Sequence, residues 1–167
     1  MANSYSDFEI IRVTPTIIAG TTHAEDVMFN ATEIPNAVIG NGGCSKLLGI
    51  TITDQDKEDH NMDIVFMSVQ TNLGTAGAAA DIAANDMLAA DITSSLKIDW
   101  GTASSSFSNF SMYTSSAHAV DDDNTQLPIL LQANAGSTSV YFTAIAKEEM
   151  AFAATDDLEF IFHIQKR

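Results

Sequence analysis

Apolar and polar positions alternate at a period of two over most of this chain, the spacing of half-buried strands rather than helices. Residues 8–17 carry Ile10, Ile11 and Val13 and predict a strand. Pro15 removes a ladder donor, so this strand lies at a sheet edge or bends there. A second strand is predicted over 27–34, with Val27, Phe29 and Ala31 facing one way and Asn30 and Thr32 the other. The turn Gly40-Asn41-Gly42-Gly43 leads to a third, over 46–53, where Leu48, Ile50 and Ile52 alternate with Gly49, Thr51 and Thr53. Residues 62–69 are apolar at nearly every position, as in a strand covered on both faces. With the charged connection 55–61 between them, these last two predict a β-hairpin.

The pattern changes over 78–90, an alanine-rich stretch that predicts one short helix capping an end of the sheets. Alternation returns with Leu96, Ile98 and Trp100. Residues 104–116 read as a mobile serine-rich loop followed by a strand, and 117–126 as a long acidic loop. Strands over 127–133 and 138–147, joined by the turn Ala135-Gly136-Ser137, predict a second hairpin. The last strand, 158–165, presents Leu158, Phe160, Phe162 and Ile164 as one apolar face. About eight short strands and one helix predict an all-β chain, a single antiparallel β-sandwich of jelly-roll type, with an immunoglobulin-like sandwich as the alternative. The sandwich domain is expected over 8–167, after a flexible segment 1–7.

The 167 residues suit one domain with a core of its own. With 22 acidic against 7 basic residues the net charge is −15, which repels phosphate backbones and anionic membranes. Nucleic acid and membrane are therefore not expected partners. The N-terminus has no basic and apolar leader pattern, and no apolar run approaches the ~20 residues of a membrane-spanning helix. The single cysteine, Cys44, rules out an internal disulfide and is expected to be a buried thiol.

No residue set predicts catalysis or a cofactor, and the chain is not expected to be an enzyme. Neither neighbour of Cys44, Gly43 or Ser45, activates it. His23, His60 and His118 fall in predicted loops and His163 faces outward from the last strand, without zinc-site spacing. Acidic residues cluster twice, at Asp54, Asp56, Glu58 and Asp59 and at Asp121, Asp122 and Asp123. Clustered loop carboxylates suit calcium, which makes Asp121 and Asp123 weak metal candidates, although a solvated charge run is the commoner outcome. Phe107, Phe110, Met112 and Tyr113 concentrate aromatic and apolar surface outside regular alternation and are the interface candidates.

Three segments carry a resemblance: ITITDQDKEDHNMDIVFMS (50–68), TNLGTAGAAADIAANDML (71–88), and PILLQANAGSTSVYFTAIAKEE (128–149) followed by ATDDLEFIFHI (154–164). In this order they resemble small virion proteins of tailed bacteriophages, similar to capsid decoration or cement proteins. The resemblance implies a β-sandwich made in the host cytoplasm that binds the major capsid protein on the outside of an icosahedral head, as a homotrimer. It transfers no functional residue. The alternative is a head or tail module that contacts host-surface glycans, for which exposed aromatic rings beside Asp or Asn would be the sign.

Overall fold

The computed structural model describes residues 8–82, 88–116 and 127–166. It is mostly β, with two antiparallel sheets packed face to face. The larger sheet runs β1 (Phe8–Val13), β12 (Leu158–Gln165), β4 (Cys44–Asp54), β8 (Ser111–Ser116), β7 (Ser104–Ser106), with β9 (Ile129–Gln132) also paired to β4. The smaller runs β3 (Thr32–Ile34), β10 (Val140–Ala146), β5 (Met62–Met67), β6 (Ile92–Ile98). A separate ribbon joins β2 (Gly20–Thr22) to β11 (Met150–Phe152). One helical turn, α1 (Trp100–Ala103), follows β6.

The core forms where the two inner faces meet. Leu158, Phe160, Phe162 and Ile164 of β12 are all buried, as their alternation predicts. Phe142 of β10 meets Phe160 and Phe162 across the gap at ring-centroid distances of 5.2 and 4.9 Å, both edge-to-face. Phe66 of β5 reaches Phe162 at 6.2 Å, and Phe29 packs on Phe142 at 5.3 Å. Edge-to-face contacts align the positive rim of one ring with the negative face of the next and add ~0.5–1.5 kcal/mol per pair beyond burial.

Both predicted hairpins are instead crossings between sheets. β4 and β5, joined by 55–61, lie in different sheets; β4 pairs with β12, β8 and β9, and β5 with β10 and β6. The turn at 135–137 likewise carries the chain from β9 in the larger sheet to β10 in the smaller. Local alternation specifies which face of a strand is buried, but a pairing partner is chosen by whichever strand completes that buried face. The one predicted strand over 104–116 is the real hairpin, β7–β8, closed by the Phe107 N–H donating to the Phe110 carbonyl at 2.8 Å.

Leu48 sits at a β-bulge. His163 pairs with Gly49 and Ile164 with Leu47, so Leu48 is the extra residue. A bulge changes which face the following residues take. Ser45 and Leu47 are inward before it, Ile50 and Ile52 after it; Leu47 is buried and Leu48 only half-buried, the reverse of the expected assignment. The same point divides the far edge of β4, where Cys44–Leu47 pair with β9 and Gly49–Asp54 with β8. Just upstream, Gly43 is required by space: a Cβ there would lie 2.3 Å from the Ile39 carbonyl oxygen.

The predicted strand over 27–34 is broken. Asp26, Val27, Met28 and Phe29 are all buried, without alternation, and only Thr32–Ile34 is regular. Val27 bridges Ile145, and the Thr143 hydroxyl donates to the Phe29 carbonyl, filling the gap in the ladder. Trp100 starts α1 rather than ending a strand, and is buried against Tyr113 at 5.6 Å. The alanine-rich stretch is not helical over 78–82: Ala79 bridges Asp26, and the Ala80 N–H donates to the Glu25 carbonyl. Residues 88–90 have helical backbone, and 83–87 lie outside the described residues. The described parts of the stretch cover the outer face of the smaller sheet instead of an end: Ala80, Ile82 and Ala90 pack with Leu73 against Val65, Met67 and Ile145. Small alanines let backbone approach backbone, and that contact outweighs their helix propensity.

Two leucines at adjacent positions provide a test. Leu47→Ala is expected to cost about 2–5 kcal/mol of unfolding free energy, and Leu48→Ala less than about 1 kcal/mol. Urea denaturation of both variants measures this, and equal losses would contradict the bulge.

Candidate functional surface

The acidic arch 54–61 is a structural clamp. Asp54 is buried, and its carboxylate accepts backbone N–H groups of Asp56, Lys57 and Asp59 at 2.9, 3.0 and 3.1 Å. Burial nonetheless pushes its carboxyl above the ordinary aspartate range, against the lowering effect of those hydrogen bonds. The rest of the cluster binds neighbouring segments. Glu58 accepts the Ala151 N–H at 2.9 Å, Asp56 accepts the Ala153 N–H, and Asp59 accepts the Ser111 hydroxyl. Asp157 accepts the Ala154 N–H at 2.6 Å. Its carboxyl is also pushed upward, first by burial, then by the hydrogen bond to Asp56 and by the charges of Asp56 and Asp156.

Two of the histidines, His23 and His60, join the same end of the molecule. His23 lies 2.9 Å from Glu149, and His60 lies between Glu58 at 3.8 Å and Glu148 at 3.5 Å. His163 faces outward from β12 and sits 3.4 Å from the Thr51 hydroxyl. Among the described residues no group of three or more His, Cys, Asp or Glu is arranged to hold a metal. His118 and the metal candidates Asp121 and Asp123 lie outside the described residues. Cys44 is exposed rather than buried, because β4 begins there with its side chain on the outer face.

The four interface candidates separate. Phe107 and Phe110 stack at the ends of the β7–β8 turn, with centroids 4.7 Å apart and planes at 18°. Phe107 is 47% exposed, and Phe110 is half-buried. Met112 is half-buried on the outer face of the larger sheet, beside Thr53. Tyr113, one residue on, points inward and is buried, since successive strand residues take opposite faces. Tyr113 is therefore a core residue and no part of an accessible surface.

Beside this turn lies an open groove of about 520 Å³. It is lined by the register partners Thr53 and Glu159 together with Thr14, Gln55, Asn109, Phe110 and Asp156. Arg12 holds Glu159 at 2.8 Å, and the Gln55 N–H donates to the Asp157 carbonyl at 2.9 Å.

A second exposed surface lies at the opposite end of the larger sheet and was not legible in the sequence. Strand register aligns Phe8, Gln165, Lys46 and Leu130 in one row across β1, β12, β4 and β9. Directly opposed residues share a face, so all four are on the outer face. Phe8 is 60% exposed, Leu130 62%, and Ile10, two residues along β1, 62%. The sandwich thus has an acidic end, built from 54–59, 148–149 and 156–157, and an apolar end with Lys46 in its middle. The aromatic turn and the acidic connection meet at the acidic end, where Gln55 and Phe110 line one groove.

No protein-family model matches this chain, and no curated protein is similar to it in sequence.

The raised carboxyls at Asp54 and Asp157 set a pH dependence. The folded protein holds these protons more tightly than the unfolded chain does, so unfolding free energy falls as pH rises from the ordinary aspartate range through the raised folded values. The melting temperature is expected to rise on acidification from neutral pH toward the ordinary aspartate range, about pH 4. Asp157→Asn keeps an acceptor for the Ala154 N–H and removes the repulsion with Asp56. It is expected to raise the melting temperature at neutral pH and flatten the pH profile, whereas Asp54→Ala is expected to cost about 2–3 kcal/mol through orphaned N–H groups. Scanning calorimetry across this range measures all three.

Proposed function

We propose that this protein is a non-enzymatic structural component of a tailed-phage particle, a jelly-roll decoration protein that binds the outside of the head shell and stabilises it. The observation that carries this reading is the polarity of the sandwich, with an exposed apolar row at one end and a concentration of carboxylates at the other.

Strand order supports the jelly-roll part. Among the eight strands β1, β3, β4, β5, β6, β8, β10 and β12, taken in chain order, the larger sheet holds the first, eighth, third and sixth, and the smaller holds the second, seventh, fourth and fifth. Only β5 and β6 are consecutive partners; every other step changes sheet. This order is the one expected when two Greek keys wrap into a double-sheet roll, an architecture used in viral coats and also in lectins and cupins. Fold alone does not choose among those uses.

The surfaces favour the coat. Phe8, Ile10 and Leu130 with Lys46 offer an apolar patch with a central cation, suited to a partly acidic shell surface. The carboxylate end then faces solvent, away from packaged nucleic acid, whose phosphates would repel it. Trimeric self-association belongs to the same proposal, since symmetric closure brings several apolar ends to one shell site. Binding only to the assembled shell stabilises it by mass action.

Heating decorated and stripped heads side by side tests this, with the decorated heads expected to melt higher. Phe8→Asp combined with Leu130→Asp changes two exposed side chains and is expected to weaken decoration at least about tenfold without unfolding the protein. Decoration unaffected by the double change, equal melting temperatures, or electron microscopy locating the protein inside the shell would overturn the proposal.

A further inference from the structure

We infer that the groove beside the β7–β8 turn is a binding site for a neutral saccharide of two or three units. This does not rest on the shell-binding proposal, since the groove is at the other end of the molecule and is complete in the isolated chain.

The lining combines the groups that recognise a sugar. Asp156 and Glu159 accept hydroxyl protons, and Gln55 and Asn109 both donate and accept through one planar amide. Thr14 and Thr53 add hydroxyls, and Phe110 provides an aromatic surface for the C–H face of a pyranose ring. A volume of about 520 Å³ falls within the range of small-ligand sites. The walls are held in place before any ligand arrives. Phe110 is backed by Phe107, the turn is closed by its own backbone hydrogen bond, Glu159 is fixed by Arg12, and the Gln55 side-chain amide donates one hydrogen to the Asp156 carbonyl at 3.3 Å, which leaves its second N–H and its oxygen for a ligand. Prefixed side chains reduce the ordering cost that otherwise weakens binding to shallow sites.

Charge narrows the ligand class. Phosphorylated or carboxylated ligands meet Asp156, Glu159 and the neighbouring acidic arch, and are repelled. A basic peptide is attracted, but Glu159 already has Arg12 as its cation. A lysine ammonium only donates, so the amide N–H groups and threonine O–H groups facing this space find no acceptor on it, whereas sugar hydroxyls both donate and accept.

Titration of the isolated protein with maltotriose, mannotriose and chitotriose, followed by NMR, tests the inference. At least one is expected to shift the resonances of Asn109 and Phe110 with a dissociation constant on the order of 1 mM. Phe110→Ala and, separately, Asn109→Ala are each expected to weaken that binding about tenfold. Asn109 is an exposed turn residue, so its variant keeps the test valid if Phe110→Ala fails to fold. Three results would overturn the site: no shift at Asn109 or Phe110 with any of these sugars at about 20 mM, binding that neither substitution weakens, or a salt-sensitive response of the same resonances to trilysine in place of the sugars.

Discussion

Contact between phenylalanines of the two sheets is the constraint on which the rest of the structure depends. Phe142 belongs to the smaller sheet and touches both Phe160 and Phe162 of the larger. Phe29 lies in neither sheet yet packs on Phe142 and Phe160, tying the broken segment 26–34 to the centre. Rings of this size prefer particular angles, so the cluster sets the relative placement of the sheets as well as their separation. The register of β12 on β4 follows, because a one-residue slip would send Phe160 and Phe162 to solvent. The bulge at Leu48 lets β4 keep that register while meeting two different strands on its far edge.

Pairing across the sandwich also explains the acidic arch. A chain that leaves one sheet at Asp54 and enters the other at Met62 cannot satisfy its backbone with a hairpin ladder. The buried Asp54 carboxylate does so instead, collecting three N–H groups of the arch, while Asp56 and Glu58 take N–H groups from 151–153. Orphaned donors in such a crossing would each cost about 1–3 kcal/mol. The raised carboxyl of Asp54 shows that burial of the charge is only partly offset, so the clamp trades electrostatic cost for geometry.

Much of the fold was legible because face selection is local. The period-two pattern of β12, the double coverage of β5 and the edge position of β1 before Pro15 follow from residues within one strand. Partner selection is not local, and both supposed hairpins failed there: a polar connection such as 55–61 looks the same whether it turns back or crosses over. The start of the alanine-rich stretch misled for a related reason. The last described part of the stretch, 88–90, is helical as its propensity predicts, but over 78–82 a sheet face with Val65, Met67 and Ile145 needed a cover, and tertiary burial outweighs tenths of a kcal/mol per residue. Of the site residues, Phe107 and Phe110 stood out by falling outside alternation, whereas Tyr113 was grouped with them only by proximity in sequence. The row Phe8–Leu130 was invisible, because its members are 122 positions apart and meet only through two intervening strands.

The unequal treatment of the two outer faces bears most directly on function. The smaller sheet is covered from within the chain, by described residues between β5 and β6 such as Leu73, Ala80, Ile82 and Ala90. The larger sheet carries no comparable cover in the described residues, and its outer face holds threonines, His163 and Met112 in the middle, with Phe8, Ile10 and Leu130 at one end. A sheet face that is merely solvated has no need of exposed phenylalanine and leucine, which add to the risk of edge-to-edge association without contributing to the core. Lys46 in the centre of the row and the carboxylates at the far end oppose disordered stacking, since a second copy docked the wrong way would bring like charges together. What remains is a surface that is apolar enough to bind and charged in a way that disfavours inverted docking, as the proposed coat role would require.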